Sequence, residues 1–272
     1  MIFSAFYLLL LLGGFTSLMY FTGMYAHWYF YFIPLFGIPL GYLLLYGITL
    51  AILFPIAKGV DIDSDIKKPS KVASFIVREV DFLTVRLALT RVRYTGLKKL
   101  DQKKEYMIIY NHISNFDPML IMPKIKRMIC ITKRSNKKIP IVGGMIHKAG
   151  YITIDREHDS EGIKAINKSI DYINEHKGSV CVAPEGTRSK DLTLLPFHPG
   201  TFNIAKRTGV PIVCMGIRNT NMIHKNFPKK ITKVNCDVIY IMYEDEYLNM
   251  STVEIAQKLH QVYEEYLASN AQ

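Results

Sequence analysis

Apolar and polar positions divide this chain into two regimes. From Ile2 to Phe21, IFSAFYLLLLLGGFTSLMYF, twenty residues pass without a charge. At 1.5 Å rise per residue a helix of that length covers about 30 Å, the thickness of a bilayer's hydrocarbon core. A second apolar stretch runs from Trp28 to Pro55, and TGMYAH (Thr22–His27) between them predicts a tight turn. Aromatic residues crowd that turn: Tyr20, Phe21, Tyr25, Trp28, Tyr29, Phe30, Tyr31 and Phe32. Such rings favour the water–lipid interface. The pattern predicts a membrane-embedded hairpin of two helices over residues 1–57. A signal peptide fits less well, because no basic segment precedes the first stretch and a second one follows. Pro34 and Pro39 can kink the second pass, which leaves open whether the hairpin spans the bilayer or dips into one leaflet.

Beyond Lys58 the pattern changes. Asp61–Ser70 is polar and reads as a linker, and Val72–Thr90 mixes apolar and charged positions as an amphipathic helix lying near the membrane does. Short apolar runs then alternate with helical patterns. The runs predict strands at Arg91–Gly96, Tyr106–Tyr110, Met128–Thr132, Tyr151–Ile154, Ser179–Ala183, Pro211–Gly216 and Val234–Tyr243. Helices are predicted at Asp117–Ile125, Pro140–Lys148, Ser160–Glu175, Gly200–Thr208 and Thr252–Ala268. Ile163, Ile166, Ile170 and Ile173 recur on a helical stripe of the third of these, and STVE (Ser251–Glu254) is a capping box before the last. Alternation of this kind predicts an α/β fold with a mixed or largely parallel sheet flanked by helices. The expected organisation is a hairpin over 1–57, a linker and membrane-proximal helix over 58–90, and an α/β domain over 91–272.

Charge sharpens this picture. Residues 1–57 hold no Asp, Glu, Lys or Arg. Residues 58–138 carry 19 Lys and Arg against 8 Asp and Glu, whereas residues 139–272 carry 15 of each. The positive excess that begins at Lys58 places that side of the hairpin in the cytoplasm and fits an anionic leaflet. A basic face of an ordinary soluble domain is the plainer alternative. Nucleic acid is not expected as a partner, because it gives no reason for the hairpin. Cys130, Cys181, Cys214 and Cys236 sit in or beside apolar runs without C-x-x-C pairing, as buried reduced thiols do. No metal site is expected from these spacings.

The candidate chemistry begins in YNHISNFDPML (Tyr110–Leu120). His112 follows a predicted buried strand and Asp117 lies five residues on. An imidazole can take a proton from an alcohol near neutrality, and a carboxylate can hold its ring in one tautomer. The simpler role for Asp117 is to cap the helix that Pro118 begins. No protein nucleophile is recognisable: there is no G-x-S-x-G turn and no cysteine in a catalytic setting. A His–Asp pair without one points to a nucleophile supplied by the substrate, such as an alcohol attacking an activated acyl group. A second signal is APEGTRS (Ala183–Ser189), where Gly186 permits a tight turn, Thr187 offers a hydroxyl and Arg188 a fork suited to phosphate. Its plain reading is a surface turn with a Glu185–Arg188 ion pair. GYITIDR (Gly150–Arg156), VPIVCMG (Val210–Gly216) and Lys133 at a strand end complete the set.

Together and in this order, NHISNFD, GYITIDR, PEGTR and VPIVCMG resemble the motif blocks of the glycerolipid acyltransferases, and most closely those of the 1-acylglycerol-3-phosphate acyltransferases. The resemblance covers about Tyr106 to Gly216. It implies a membrane-bound enzyme of phospholipid biosynthesis that moves an acyl group from an acyl thioester, acyl-ACP or acyl-CoA, to the sn-2 hydroxyl of lysophosphatidic acid. It implies His112 as general base and Asp117 as its orienting partner. Lys133 and Arg188 would bind the acceptor phosphate, with Glu185, Gly186 and Thr187 shaping that pocket. Arg156 would assist the acceptor site, and Val210 and Pro211 would line or support the acyl side. It requires no cofactor beyond the thioester co-substrate. Two positions depart from the family pattern: Ala183 stands where Phe is frequent, and His198 in FHPG stands where many members have Lys. Competing readings are acylation of another lysophospholipid or of glycerol-3-phosphate, thioester hydrolysis, and a non-catalytic lipid-binding membrane protein.

Overall fold

The structure, a computed structural model, describes residues 2–23, 33–58, 69–155 and 159–269. The expected aromatic turn and most of the polar linker lie outside those residues. In chain order the helices are α1 (Ile2–Thr22), α2 (Ile33–Lys58), α3 (Lys71–Leu87), α4 (Asp117–Ile121), α5 (Val142–Lys148), α6 (Asp159–Asn174), α7 (Asn203–Thr208), α8 (Met222–Asn226), α9 (Glu244–Tyr247) and α10 (Thr252–Ala268). The strands are β1 (Thr90–Thr95), β2 (Met107–Tyr110), β3 (Met128–Lys133), β4 (Ile152–Ile154), β5 (Ser179–Val182), β6 (Ile212–Arg218) and β7 (Thr232–Met242).

The strands form one seven-stranded sheet in the order β1-β7-β6-β2-β5-β3-β4. From β6 to β4 the strands run parallel; β7 pairs antiparallel to β6, and β1 lies parallel to β7. The central strand, MIIY, is buried at every position because helices cover both faces of the sheet. Met107 and Ile109 pack toward α10, where Tyr263 donates its hydroxyl to the Ile109 carbonyl at 2.9 Å. Ile108 and Tyr110 pack toward Leu120 and Ile121 of α4 on the other face. Chain alternation alone decides which residue meets which layer. The four cysteines are free and buried in these layers.

The isoleucine stripe on α6 is buried only in part. Ile170 and Ile173 are buried and Ile166 is partly so, but Ile163 is 63% exposed. The neighbouring edge strand β4 has only three residues, too little surface to cover the first turn of the helix.

α1 and α2 are apolar on every side and leave most of their side chains outward. By length and composition both are able to cross a membrane. A few polar groups join them: the Tyr42 hydroxyl donates to Ser4 Oγ at 2.7 Å, and the Tyr7 hydroxyl meets Thr49 Oγ1. α2 continues through Pro39 and Pro55 as one helix, and Pro34 falls in its first turn, where a missing N–H removes no helical bond.

The hairpin is joined closely to the rest. Leu53 and Ala57 of α2, Ala73 and Val77 of α3, and Met145, Ile146 and Ala149 around α5 form one apolar cluster. The approach is backbone to backbone: a side chain at Gly144 would collide with the Ala57 carbonyl, and one at Gly143 with the Lys137 carbonyl. Lys148 Nζ donates to the Ile56 carbonyl at 3.0 Å at the end of α2. α3 is capped by Ser70, whose hydroxyl accepts from Ala73 N at 3.2 Å.

Asp81 on α3 lies in this region, and burial pushes its carboxyl up to about 7. A raised carboxyl pKa favours the folded protein when protonated. The contribution is complete below the unfolded value near 4 and is lost as pH climbs through 7. Thermal melting of the detergent-solubilised chain should therefore fall between pH 5 and pH 8, and Asp81→Asn should flatten that dependence while raising the melting temperature at pH 8. A wild-type melting temperature constant across this range would rule this out.

Candidate active site

The carboxyl ends of the parallel strands gather at one edge of the sheet. The chain leaves β2 toward α4 on one face, and leaves β5 toward α7 on the other. Connections that depart to opposite faces open a crevice between neighbouring strands, the usual location of a site in such sheets. The loops after β2 and β5 meet there.

His112 lies two residues past β2 and is 9% exposed; Asp117 is fully buried. His112 Nδ1 and Asp117 Oδ2 are 2.9 Å apart. The same oxygen accepts from the backbone N–H groups of Ile113 at 2.8 Å and Ser114 at 2.7 Å. Asp117 Oδ1 accepts from the Thr220 hydroxyl at 2.5 Å. The carboxylate is thus held from three directions, and because it can only accept, it takes a hydrogen bond from Nδ1–H and leaves Nε2 with its lone pair. Asp117 is the first residue of α4, yet its side chain makes no capping bond to that helix. The carboxylate turns back to its own loop and to the His112 ring, and it does not cap the helix.

The loop after β5 grips the backbone of His112 at both ends. His112 N donates to Glu185 Oε1 at 2.7 Å, and Ser189 N donates to the His112 carbonyl at 2.9 Å. Glu185 Oε2 accepts from Leu195 N at 3.0 Å. Desolvation raises the pKa of this buried carboxyl, although both amides pull the other way. Glu185 thus shapes the loop from within, and among the described residues no ion pair joins it to Arg188. From the other side, Asn111 accepts from Ile217 N at 2.7 Å and donates to the Ile217 carbonyl at 2.9 Å, which locks the loop after β2 to β6.

Gly186 has φ +68°, a conformation few other residues adopt. A Cβ there would meet the His198 ring at 2.9 Å, so His198 packs directly on the turn. Thr187 and Arg188 are exposed beyond that turn, and Lys133 is exposed at the end of β3. β3 neighbours β5 in register, with Cys130 opposite Cys181, so Lys133 and the 184–188 turn lie at the same edge as His112. Arg156 lies outside the described residues. Val210 and Pro211 precede β6, at its amino end. Seven residues of strand, about 20 Å at 3.3 Å per residue, separate them from the edge that carries His112. At that amino end Val210 O accepts the Tyr247 hydroxyl at 2.9 Å.

Thr220 is the site residue that sequence reading misses. It stands 103 positions from Asp117, in a segment with no motif. The return of β6 to the centre of the sheet alone brings it there. Among the described residues no cluster of His, Cys, Asp and Glu is able to hold a metal ion.

Comparison with known proteins identifies a family. The acyltransferase family model matches residues 91–218. The 1-acyl-sn-glycerol-3-phosphate acyltransferase of Haemophilus influenzae is 31% identical over 172 residues, 62% of this chain and 71% of that protein. The enzyme of the same name from Saccharomyces cerevisiae is 34% identical over 135 residues, 48% of this chain and 44% of that protein. The chain therefore spans less than half of the yeast relative. The crystal structure of the 1-acyl-sn-glycerophosphate (LPA) acyltransferase from Thermotoga maritima superposes with a TM-score of 0.61 at 19% identity. The match covers 86% of this chain and 95% of that one, and it shows a shared fold.

Proposed function

Because the chain belongs to the 1-acyl-sn-glycerol-3-phosphate acyltransferase family, we propose that it acylates the sn-2 hydroxyl of lysophosphatidic acid to give phosphatidic acid, with an acyl thioester of acyl carrier protein or coenzyme A as donor. The observation that carries this reading is the His112–Asp117 pair, with Nδ1 bound to a buried carboxylate and Nε2 left as the base. In the reaction Nε2 accepts the hydroxyl proton as the alkoxide oxygen attacks the thioester carbonyl. The C–S bond then breaks, and the imidazolium returns the proton to the departing thiolate. One ester forms, one thioester is lost, and the histidine ends unchanged. No acyl-enzyme is required, which suits a site without a protein nucleophile.

The acceptor phosphate is assigned to Lys133, Thr187 and Arg188 at the same sheet edge, and Arg156 is assigned to that side of the site. The hairpin α1–α2 would hold this edge at the cytoplasmic leaflet of the cell membrane, where the lysolipid resides. Incubating the purified full chain with acyl-ACP or acyl-CoA, and with lysophosphatidic acid, other lysophospholipids or glycerol-3-phosphate, tests the proposal. Phosphatidic acid formed only with lysophosphatidic acid is expected. Fatty acid released at equal rate without any acceptor would make the chain a thioesterase instead.

Arg188→Ala is expected to lower kcat/KM for lysophosphatidic acid roughly 10- to 150-fold, the worth of one hydrogen bond to a charged group. The donor KM should stay unchanged. An unaltered acceptor profile would remove Arg188 from the phosphate site.

A further inference from the structure

A crevice of about 210 Å³ lies between the end of α3, strand β1 and the segment carrying α4. Its lining pairs apolar Phe82, Val92, Tyr94 and Met119 with polar Arg86, Thr90 and Lys124. Two cations stand over two of its rings: the Arg86 guanidinium 5.9 Å above Phe82, and Lys124 Nζ 4.5 Å above Tyr94. No acidic side chain is among its described lining residues. Cations held against rings above an apolar floor suit an amphiphilic anion, with its charge between them and its hydrocarbon below. Burial pulls the Lys124 ammonium below its ordinary range, and an incoming anion would offset that desolvation.

The placement of the crevice indicates the source of such an anion. Phe75, Glu79, Phe82 and Arg86 recur at helical spacing and share one stripe of α3. The first half of the stripe is taken by the start of α1. Phe3 packs edge-on against Phe75 at 5.8 Å, and Phe3 N donates to Glu79 Oε2 at 2.9 Å. Phe82 stands seven residues past Phe75, about 10 Å along the helix. The crevice thus opens some two turns from the point where the apolar helix α1 begins. For a hairpin embedded in lipid, that is the level of the headgroups.

We infer that this crevice seats an anionic phospholipid of the surrounding leaflet, with its phosphate between Arg86 and Lys124 and its first acyl carbons against Phe82, Val92 and Met119. The inference rests on the membrane reading above. Met119 lies two residues beyond Asp117, so an occupied crevice buttresses the helix that carries the catalytic carboxylate.

Brominated acyl chains quench tryptophan on contact, and this chain has one tryptophan, Trp28. The full chain in nanodiscs tests embedding first: Trp28 should be quenched alike by brominated phosphatidylcholine and brominated phosphatidylglycerol. No quenching there would overturn the membrane reading, and the lipid site with it. In the Trp28→Phe, Phe82→Trp variant, the new indole should be quenched at least about twofold more strongly by the anionic lipid. Adding Arg86→Gln and Lys124→Gln should abolish that preference. Equal quenching by both lipids, a preference that survives the double substitution, or displacement of the lipid by inorganic phosphate or an acidic peptide would each overturn the site. The readout is fluorescence, so a chain that binds anionic lipid yet transfers no acyl group would remove the catalytic proposal alone.

Discussion

His112→Ala is expected to lower acyl transfer to lysophosphatidic acid by roughly 10²- to 10⁴-fold, the usual contribution of a positioned general base. The loss should fall on kcat, because the substitution leaves the proposed phosphate-binding residues in place. The fold should survive. The His112 ring is nearly buried, but the groups that clamp this segment, Glu185 Oε1 and Ser189 N, bind its backbone and not the ring. A melting temperature near wild type together with a collapsed kcat is the signature to look for. A variant that retains more than a tenth of the wild-type kcat would mean that another group, or solvent, takes the proton.

Asp117→Asn asks a different question of the same site. An asparagine can keep much of the network: its carbonyl can face His112, Ile113 and Ser114, and its amide can donate to Thr220, whose hydroxyl then accepts. What disappears is the negative charge that faces the imidazolium as it forms. Breaking one side of a buried charge pair costs about 3–5 kcal/mol, which corresponds to roughly 10²- to 10⁴-fold in rate. The acceptor KM should hold and kcat should fall. A kcat within tenfold of wild type would show that Asp117 only positions the ring. Asp117→Ala makes a useful contrast, because it leaves two loop amides without their acceptor and should also lower the melting temperature.

The sheet was largely legible because its inner strands β2 and β5 are short apolar runs buried on both faces, and each predicted run corresponds to a strand. What the runs do not carry is direction. β7 returns antiparallel to β6 through the 219–231 connection that carries α8, and nothing in the VNCDVIYIM residues announces that reversal. The His–Asp pair was legible because a five-residue separation lets one loop close on itself. Its support was not. Glu185 reads as a surface acid in PEGTR but turns inward, since the amides of His112 and Leu195 leave it a buried place to accept two hydrogen bonds. Thr220 and Asn111 act across more than a hundred residues, a relation set by strand order and not by local pattern. Ile163 shows the converse: its spacing is right, but the edge strand beneath it is too short.

The glycine contacts between α2 and α5 bear on how such a protein responds to its surroundings. With Gly143 and Gly144 pressed against carbonyl groups and Ala57 seated between helices, the described residues fasten the apolar hairpin directly to the body that carries the sheet. In a thinner or thicker bilayer, mismatch would be met by tilting the whole body and not by bending a neck. The imidazole would then ride at a fixed height above the hairpin, and lipid composition would tune how readily a lysolipid's hydroxyl reaches it.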